Sequence, residues 1–348
     1  KQHPLYPGLL VSPDLKTAQI VAEFKKVPEG FGYIDRKLRD ILREEEQPGV
    51  ELWLGGVTSF LALLEKYSER MAFLFPLAIL IIGLIHYEAF RTLQALFLPL
   101  VTALLAVIWS VGLLSAAGQP IDVFNASTPI LILAVAAGHA VQILKRYYEE
   151  FALLKEQAKL SGPELNRQAV LNSLAKVGPV MAAACLVAAL GFFSLVIFEI
   201  TSIQVFGLFT GIGVLSALIL ELSFIPALRA ILPAPGQREY ERERKPSIWD
   251  KAVERLLALV LHNRKAIFAA ASAATVALVF FSARVEMENS QKSYFWGKIK
   301  ERQEDDLLNE SMSGTNSLYL LAEAKEPGGI WRKDVIEALR KTQNWLAT

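Results

Sequence analysis

Six long apolar stretches constrain the fold of this 348-residue chain more than any other feature of its sequence. Each is close to the roughly 20 residues that an α-helix needs to cross a bilayer. Because backbone groups find no water to bond with in lipid, a lone apolar stretch can only cross it as a helix. The sequence therefore predicts a polytopic α-helical membrane protein, with spans at about residues 71–87, 93–114, 126–144, 177–198, 204–228 and 264–283.

Basic residues are confined to every second loop between these stretches. The connections 145–176 and 229–265 are rich in Lys and Arg, whereas 115–125 and 199–203 contain neither. Short loops with an excess of Lys and Arg stay in the cytoplasm. The pattern therefore predicts cytoplasmic basic loops and places both ends of the chain outside.

The two ends read as mixed α/β structure. A turn at Ser12-Pro13-Asp14 separates two strand-like runs and predicts a β-hairpin. Further patterns predict helices over 33–46, 57–70 and Trp331–Leu346, and strands at Val50–Leu54 and Asn316–Glu323.

These patterns predict five regions along the chain. The linker is rich in proline and charge between Pro233 and Pro246. Residues 248–262 form an amphipathic pattern typical of a helix in the membrane interface, with a solvated helix packed on protein as the alternative. The predicted regions are an outer α/β domain (1–66), five spans (67–232), a cytoplasmic linker with the interfacial helix (233–263), a sixth span (264–283) and a second outer domain (284–348).

Composition and motifs exclude several classes of function. A net charge of +1 gives no reason to expect a nucleic-acid partner. With one cysteine, Cys185, the sequence predicts neither a disulfide framework nor a cysteine-based metal site. Since the chain has no phosphate-binding loop, no HExxH motif and no GxSxG motif, we expect no cofactor and no enzyme activity. An intramembrane enzyme is an outlying alternative.

His139 is the one ionisable residue within the third apolar stretch. Ionisable groups at membrane depth are costly and usually functional, and histidine exchanges protons near neutral pH. With a rise of 1.5 Å per residue, His139 lies about 9 Å and Glu221 about 12 Å inside the cytoplasmic edge. The two are therefore candidates for a proton relay. Alternatively, each bonds a backbone carbonyl or a Ser/Thr partner, or the proton partner lies on another helix.

The remaining polar groups favour structural roles. His86 and Glu88, at the inner end of the first span, are expected to be solvated. A solvated ion pair is expected between Arg146 and Glu150, four residues apart. The candidates for helix packing or conformational change are Gly138, Gly207, Gly211 and Pro226.

Two local motifs resemble a known family. The run Gly138-His139-Ala140-Val141-Gln142-Ile143-Leu144-Lys145-Arg146-Tyr147-Tyr148-Glu149-Glu150 is similar to the end of the fourth helix in the resistance-nodulation-division (RND) superfamily. The run Phe224-Ile225-Pro226-Ala227-Leu228-Arg229 is similar to the exit of the sixth helix. The resemblance is to the hydrophobic-substrate exporters, akin to mycobacterial large membrane proteins and hopanoid transporters.

This resemblance implies a twelve-helix fold with ferredoxin-like periplasmic domains. The first five stretches correspond to the second to sixth helices and the last to the seventh, so the remaining helices are expected outside this chain. The implied function is proton-driven export of lipid-like or hydrophobic substrates across the bacterial inner (cytoplasmic) membrane, without enzyme chemistry. Substrate and membrane lipids are the expected partners; a periplasmic accessory protein and a dimer or trimer are left open.

One departure from the family pattern bears on mechanism. The family's fourth helix usually carries a proton-relay aspartate, and the alignment places Gly138 there, with His139 directly after it. Either His139 has taken over the proton step, or this member is not driven by protons in the usual way. Two alternatives therefore stay open: a sterol- or lipid-sensing Patched-like protein without pumping, and a protein-translocation accessory.

Overall fold

The structure is a computed structural model that describes residues 10–12, 14–24, 27–157, 162–237, 241, 248–286, 288, 290–312, 323 and 326–346. It divides into two compact units. One unit is Leu63–Glu288; the other combines Lys1–Ala62 with Asn289–Thr348.

The described residues are mainly helical. The helices are α1 (Phe31–Glu44), α2 (Val57–Phe90), α3 (Leu93–Ala116), α4 (Thr128–Glu156), α5 (Gly162–Phe193), α6 (Thr201–Ile231), α7 (Ile248–His262), α8 (Arg264–Ser282), α9 (Lys300–Ser311) and α10 (Lys333–Leu346). Among them, α2, α3, α4, α5, α6 and α8 are long and apolar enough to cross a membrane. Each covers all or most of one predicted stretch, so the prediction of a polytopic helical membrane protein is confirmed.

Four of these helices contain an internal proline. A proline in a helix lacks the N–H that would bond four residues back, but neighbouring helices in a membrane bundle can compensate for the loss. Pro226 of α6 is the one that the sequence analysis selected. The four are Pro76, Pro99, Pro179 and Pro226.

Helices α3, α4, α5 and α6 pack against one another and enclose the buried core. On the basic side, aromatic residues of α4 meet the ends of α2, α3, α5 and α6. In the middle of the bundle, small and branched residues of α3, α4 and α6 pack together, including Ala103, Ile132 and Ala217. Since α4 contributes to both layers, its side chains are surrounded by three neighbouring helices.

Glycines allow α6 to approach its neighbours closely. A Cβ at Gly207 would lie 2.5 Å from the Phe192 carbonyl oxygen, and one at Gly211 would clash with the Phe193 ring. Gly213 similarly faces Ile132. By contrast, a Cβ at Gly138 would meet no atom within 4 Å. The packing role predicted for Gly138 therefore finds no contact among the described residues.

The ferredoxin-like outer domains expected from the resemblance are not supported. The described residues contain two isolated β-bridges, Val11 with Ala18 and Gln47 with Val50, and no sheet. A sheet needs several paired strands to be stable, and the described strand-like runs find no longer pairing. The predicted strand at Asn316–Glu323 lies almost wholly outside the described residues.

In the unit that combines Lys1–Ala62 with Asn289–Thr348, the described residues are organised by helices and ion pairs instead. Arg39 of α1 pairs with Asp35 at 3.0 Å and with Glu304 of α9 at 3.2 Å. The Phe60 and Phe295 rings stack with centroids 5.8 Å apart. Helix α9 was missed by the sequence analysis because its composition is charged and its buried face includes two acidic residues.

Helix α7 has the bounds that the amphipathic pattern predicted. It ends at His262, and α8 begins at Arg264 with all of its residues exposed. The location of α7 in the membrane interface remains a prediction. Most of the charged linker before it lies outside the described residues.

Candidate functional site

Three helices bring His139, Cys185 and Glu221 together inside the bundle. His139 belongs to α4, Cys185 to α5 and Glu221 to α6. Cys185 and Glu221 are fully buried, and the His139 side chain is 17% exposed. Among the described residues the site is therefore almost closed, and the imidazole is its exposed member.

The donor atoms of the three side chains converge on the imidazole. His139 Nδ1 lies 3.0 Å from Cys185 Sγ and 3.8 Å from Glu221 Oε2. One donor atom from each residue lies within 4.8 Å of the others, so the set could hold a metal ion. The same arrangement places a proton-exchanging ring beside a carboxyl group.

Glu221 lacks hydrogen-bond partners among the described residues. Both of its carboxyl oxygens are buried and neither has a partner there. On the same helix, the apolar residues Ala217, Leu218 and Leu220 are also buried. An ionised carboxylate in such a place is very costly unless a proton or a cation neutralises it.

The structure thus brings together the two residues that the sequence analysis selected as proton-relay candidates. The sequence indicated this pairing because His139 and Glu221 lie at similar distances along their helices from the basic loops. Cys185 was missed as a member of the site, although it lies nine residues after Lys176, about 13.5 Å deep by the same rise. Depth alone could not show which face of α5 meets His139.

A second buried cluster lies on the basic side of the bundle, around Arg229. Its guanidinium donates to Gln94 Oε1, to Tyr147 Oη at 2.9 Å and to the Pro233 carbonyl at 3.3 Å. It also lies 4.6 Å from the centre of the Tyr147 ring. Arg229 is 2% exposed, and among the described residues its partners are neutral acceptors.

Asn166 of α5 completes this cluster. It accepts a hydrogen bond from Tyr147 Oη at 2.5 Å and donates to the Arg229 carbonyl at 3.0 Å. The two motifs that carried the family resemblance are thus in contact, through Tyr147 of the first and Arg229 of the second. In the sequence alone, the two motifs read as separate helix ends.

Comparison with known families gives a match that includes both motifs. The MMPL family model matches residues 2–258, which is most of the chain and includes both motifs. The chain belongs to the MMPL family. Membership confirms the resemblance to the RND/MMPL superfamily. Members of this family are transporters, and transport by this MMPL chain itself, like its substrate, is a proposal.

One curated relative is similar over part of the chain. "Putative membrane protein MJ1562" of Methanocaldococcus jannaschii is 24% identical over 185 residues, which cover 53% of this chain and 45% of the relative. The MMPL chain therefore matches less than half the length of that protein. The name of that relative places it in a membrane and mentions no substrate.

Glu150 of the first motif is buried instead of solvated. It lies 2.5 Å from Arg146 and 2.7 Å from Lys176 of α5, and Asn172 donates to it at 3.3 Å. The expected pair with Arg146 forms, but the carboxylate is only 4% exposed because α5 covers it. The pair therefore joins α4 to α5 and does more than end a helix.

His86 also differs from expectation. Its place near a helix end predicts a solvated ring, whereas His86 is 4% exposed. Its Nδ1 lies 2.6 Å from the Ile82 carbonyl oxygen and its Nε2 lies 3.2 Å from the Ala137 carbonyl oxygen. A neutral imidazole donates from one nitrogen only, so both bonds form together only in the protonated ring. When Nε2 carries a proton, its bond to the Ala137 carbonyl joins α2 to α4.

We expect His86→Leu to destabilise the full-length protein by about 1–2 kcal/mol, because a buried hydrogen bond to α4 is lost. Thermal unfolding in detergent measures the change. Glu88→Gln is the matched control, since Glu88 is partly exposed and pairs with Arg91 within its own turn. A His86→Leu protein that melts at or above the wild-type temperature would show that this contact contributes nothing.

An apolar cavity of about 320 Å³ opens between α2, α3 and α4 on the side opposite the basic loops. Its lining includes apolar Phe75, Val107 and Ile130 and polar Ser68 and Asn125. Ser68 Oγ is buried and has no hydrogen-bond partner among the described residues. The cavity is at the lower end of the roughly 300–1,000 Å³ typical of ligand pockets.

Proposed function

We propose that this MMPL chain is part of an ion-gradient-driven exporter of lipid-like or hydrophobic substrates, and that the driving ion is the proton. The observation that carries the proposal is the Glu221 carboxyl group, fully buried without a hydrogen-bond partner among the described residues and 3.8 Å from His139. It supports a proton step at this pair.

The physical reason lies in the cost of a buried charge. Ionised Glu221 is unfavourable in its apolar surroundings, and a proton removes that cost. His139 is the adjacent group that accepts or donates a proton most readily near neutral pH. Its partial exposure provides the route by which protons reach the pair.

Protonation can act on helix packing because the pair joins α4 and α6. A charged pair and a neutral pair favour different separations of these helices, and a two-state bundle converts that difference into a conformational change. Gly207, Gly211 and Pro226 of α6 are the proposed sites of sliding and bending. Gly138 is exposed and adjacent to His139, and it is a further proposed site of conformational change.

The substrate class rests on the resemblance to hydrophobic-substrate exporters and is supported by the apolar cavity among α2, α3 and α4. The proposed location is the bacterial inner (cytoplasmic) membrane. Basic loops would face the cytoplasm and both terminal regions the periplasm, as the distribution of Lys and Arg favours. A lipid that enters from the outer half of the bilayer would meet the cavity first.

We expect Glu221→Gln and His139→Ala to abolish substrate-dependent proton flux, since each removes one member of the pair. Flux is measured in proteoliposomes that contain the full-length protein, with membrane lipids and hydrophobic small molecules as substrates. Glu199→Gln is the matched control, because Glu199 is an exposed carboxylate before α6. Insertion of each variant is checked separately.

Normal flux in correctly inserted Glu221→Gln and His139→Ala proteins would overturn the proton role of the pair. A wild-type protein that moves no protons with any lipid would instead favour lipid sensing without pumping. Gly138, which stands where the family's proton-relay aspartate is expected, is the observation that favours lipid sensing without pumping.

A further inference from the structure

Cys185 is the member of the site that a proton step does not require. Its thiol is buried and lies 3.0 Å from His139 Nδ1, on the same nitrogen that faces Glu221. We propose that His139, Cys185 and Glu221 form a binding site for a thiophilic divalent transition-metal ion of the zinc class. Direct binding tests this inference, so it stands or falls separately from the transport proposal.

The distances suit a small tetrahedral ion. Zinc binds nitrogen and oxygen at about 2.0–2.2 Å and sulfur at about 2.3 Å, so neighbouring ligand atoms lie roughly 3.4–3.6 Å apart. The observed separations from His139 Nδ1 are 3.0 Å to Cys185 Sγ and 3.8 Å to Glu221 Oε2. Each differs from the ideal by about 0.5 Å, within reach of small side-chain rotations.

The chemistry of the donors selects the class of ion. Imidazole and thiolate together favour zinc-like ions, whereas magnesium and calcium prefer sites made of oxygen. Three protein ligands leave a fourth position for water or another ligand. The Glu221 carboxyl oxygens, which have no hydrogen-bond partner among the described residues, also point to a ligand, because a bound cation would contact at least one of them.

Charge balance favours a divalent ion. Neutral His139, thiolate Cys185 and ionised Glu221 carry a total charge of −2, which a divalent ion cancels. A neutral assembly suits the buried apolar surroundings of the site, whereas a monovalent or trivalent ion would leave a net charge there. Because thiol and carboxyl must lose their protons to bind metal, the ion and the proton are alternative occupants of this site.

The test uses the full-length protein in detergent, freed of metal by a chelator and titrated with Co²⁺ and then Zn²⁺. We expect a tetrahedral cobalt spectrum with a thiolate-to-cobalt absorption band, and loss of that spectrum when Zn²⁺ displaces the cobalt. Cys185→Ser and Glu221→Gln should each lose the spectrum. His262→Gln is the matched control, because His262 is exposed at the end of α7.

A wild-type protein that shows no thiolate-to-cobalt band would overturn the metal site, and so would an unchanged band in folded Cys185→Ser protein. X-ray absorption at the zinc edge of the wild type provides a second measurement that needs no variant. One sulfur neighbour at about 2.3 Å is expected, and an all-nitrogen-and-oxygen shell would exclude Cys185. Neither the cobalt spectrum nor the X-ray absorption depends on proton flux. A failed transport assay would therefore leave the metal-binding result unchanged.

Discussion

Replacing Arg229 by alanine is expected to destabilise the full-length protein by about 3 kcal/mol or more. Hydrogen bonds to charged groups contribute roughly 1.5–3 kcal/mol each, and a lost side chain of this size also leaves a cavity. Arg229 bonds Tyr147, Gln94 and the Pro233 carbonyl in a buried place, so alanine removes all three contacts at once. Thermal and denaturant unfolding in detergent measure the effect.

Two further variants separate packing from charge. Arg229→Lys keeps the charge but lacks the planar group that reaches several acceptors and stacks on Tyr147, so an intermediate loss is expected. Arg255→Ala, on the exposed surface of α7, should leave the melting temperature unchanged. If Arg229→Ala unfolds at the wild-type temperature, the cluster does not stabilise the bundle.

Gly207→Ala is expected to destabilise the protein by about 1–3 kcal/mol, the usual cost of overpacking a tight contact. The new Cβ would lie 2.5 Å from the Phe192 carbonyl oxygen and 2.6 Å from Leu195 Cβ. Since one of these atoms belongs to the backbone, α6 itself must move away from the end of α5. Thermal unfolding of the full-length variant in detergent measures the loss.

The control for this variant is Gly191→Ala. A Cβ at Gly191 would meet nothing within 4 Å, so this change should be neutral or stabilising by up to about 1 kcal/mol through helix propensity. The opposite signs expected for the two Gly-to-Ala changes make the comparison informative. Equal stability of the two variants would show that the α5–α6 contact at Gly207 is looser than the structure shows.

The candidate site was only partly predictable from the sequence. Depth arithmetic placed His139 and Glu221 at a similar level, and the structure brings them to 3.8 Å. Their chemical roles, by contrast, stay predictions. Cys185 could not be assigned to the same site, because it lies 46 residues along the chain from His139 on another helix.

Burial was the property that local patterns predicted least well. His86 and Glu150 both lie near helix ends, where the sequence indicates contact with water. Neighbouring helices cover both: α4 accepts the His86 hydrogen bond, and α5 contributes Lys176 to Glu150. A sequence pattern shows how far a residue lies from a helix end but not whether another helix covers it.

By itself the sequence determined the number of apolar helices, their approximate bounds and the family motifs, since these depend on local composition and length. Only the tertiary structure decided which helix faces meet. It placed Tyr147 on Arg229, joined His139 to Cys185 and Glu221, and left the predicted strands within the described residues without a sheet. The physical reason is that hydropathy acts on each segment separately, whereas pairing and burial depend on partners distant in the chain.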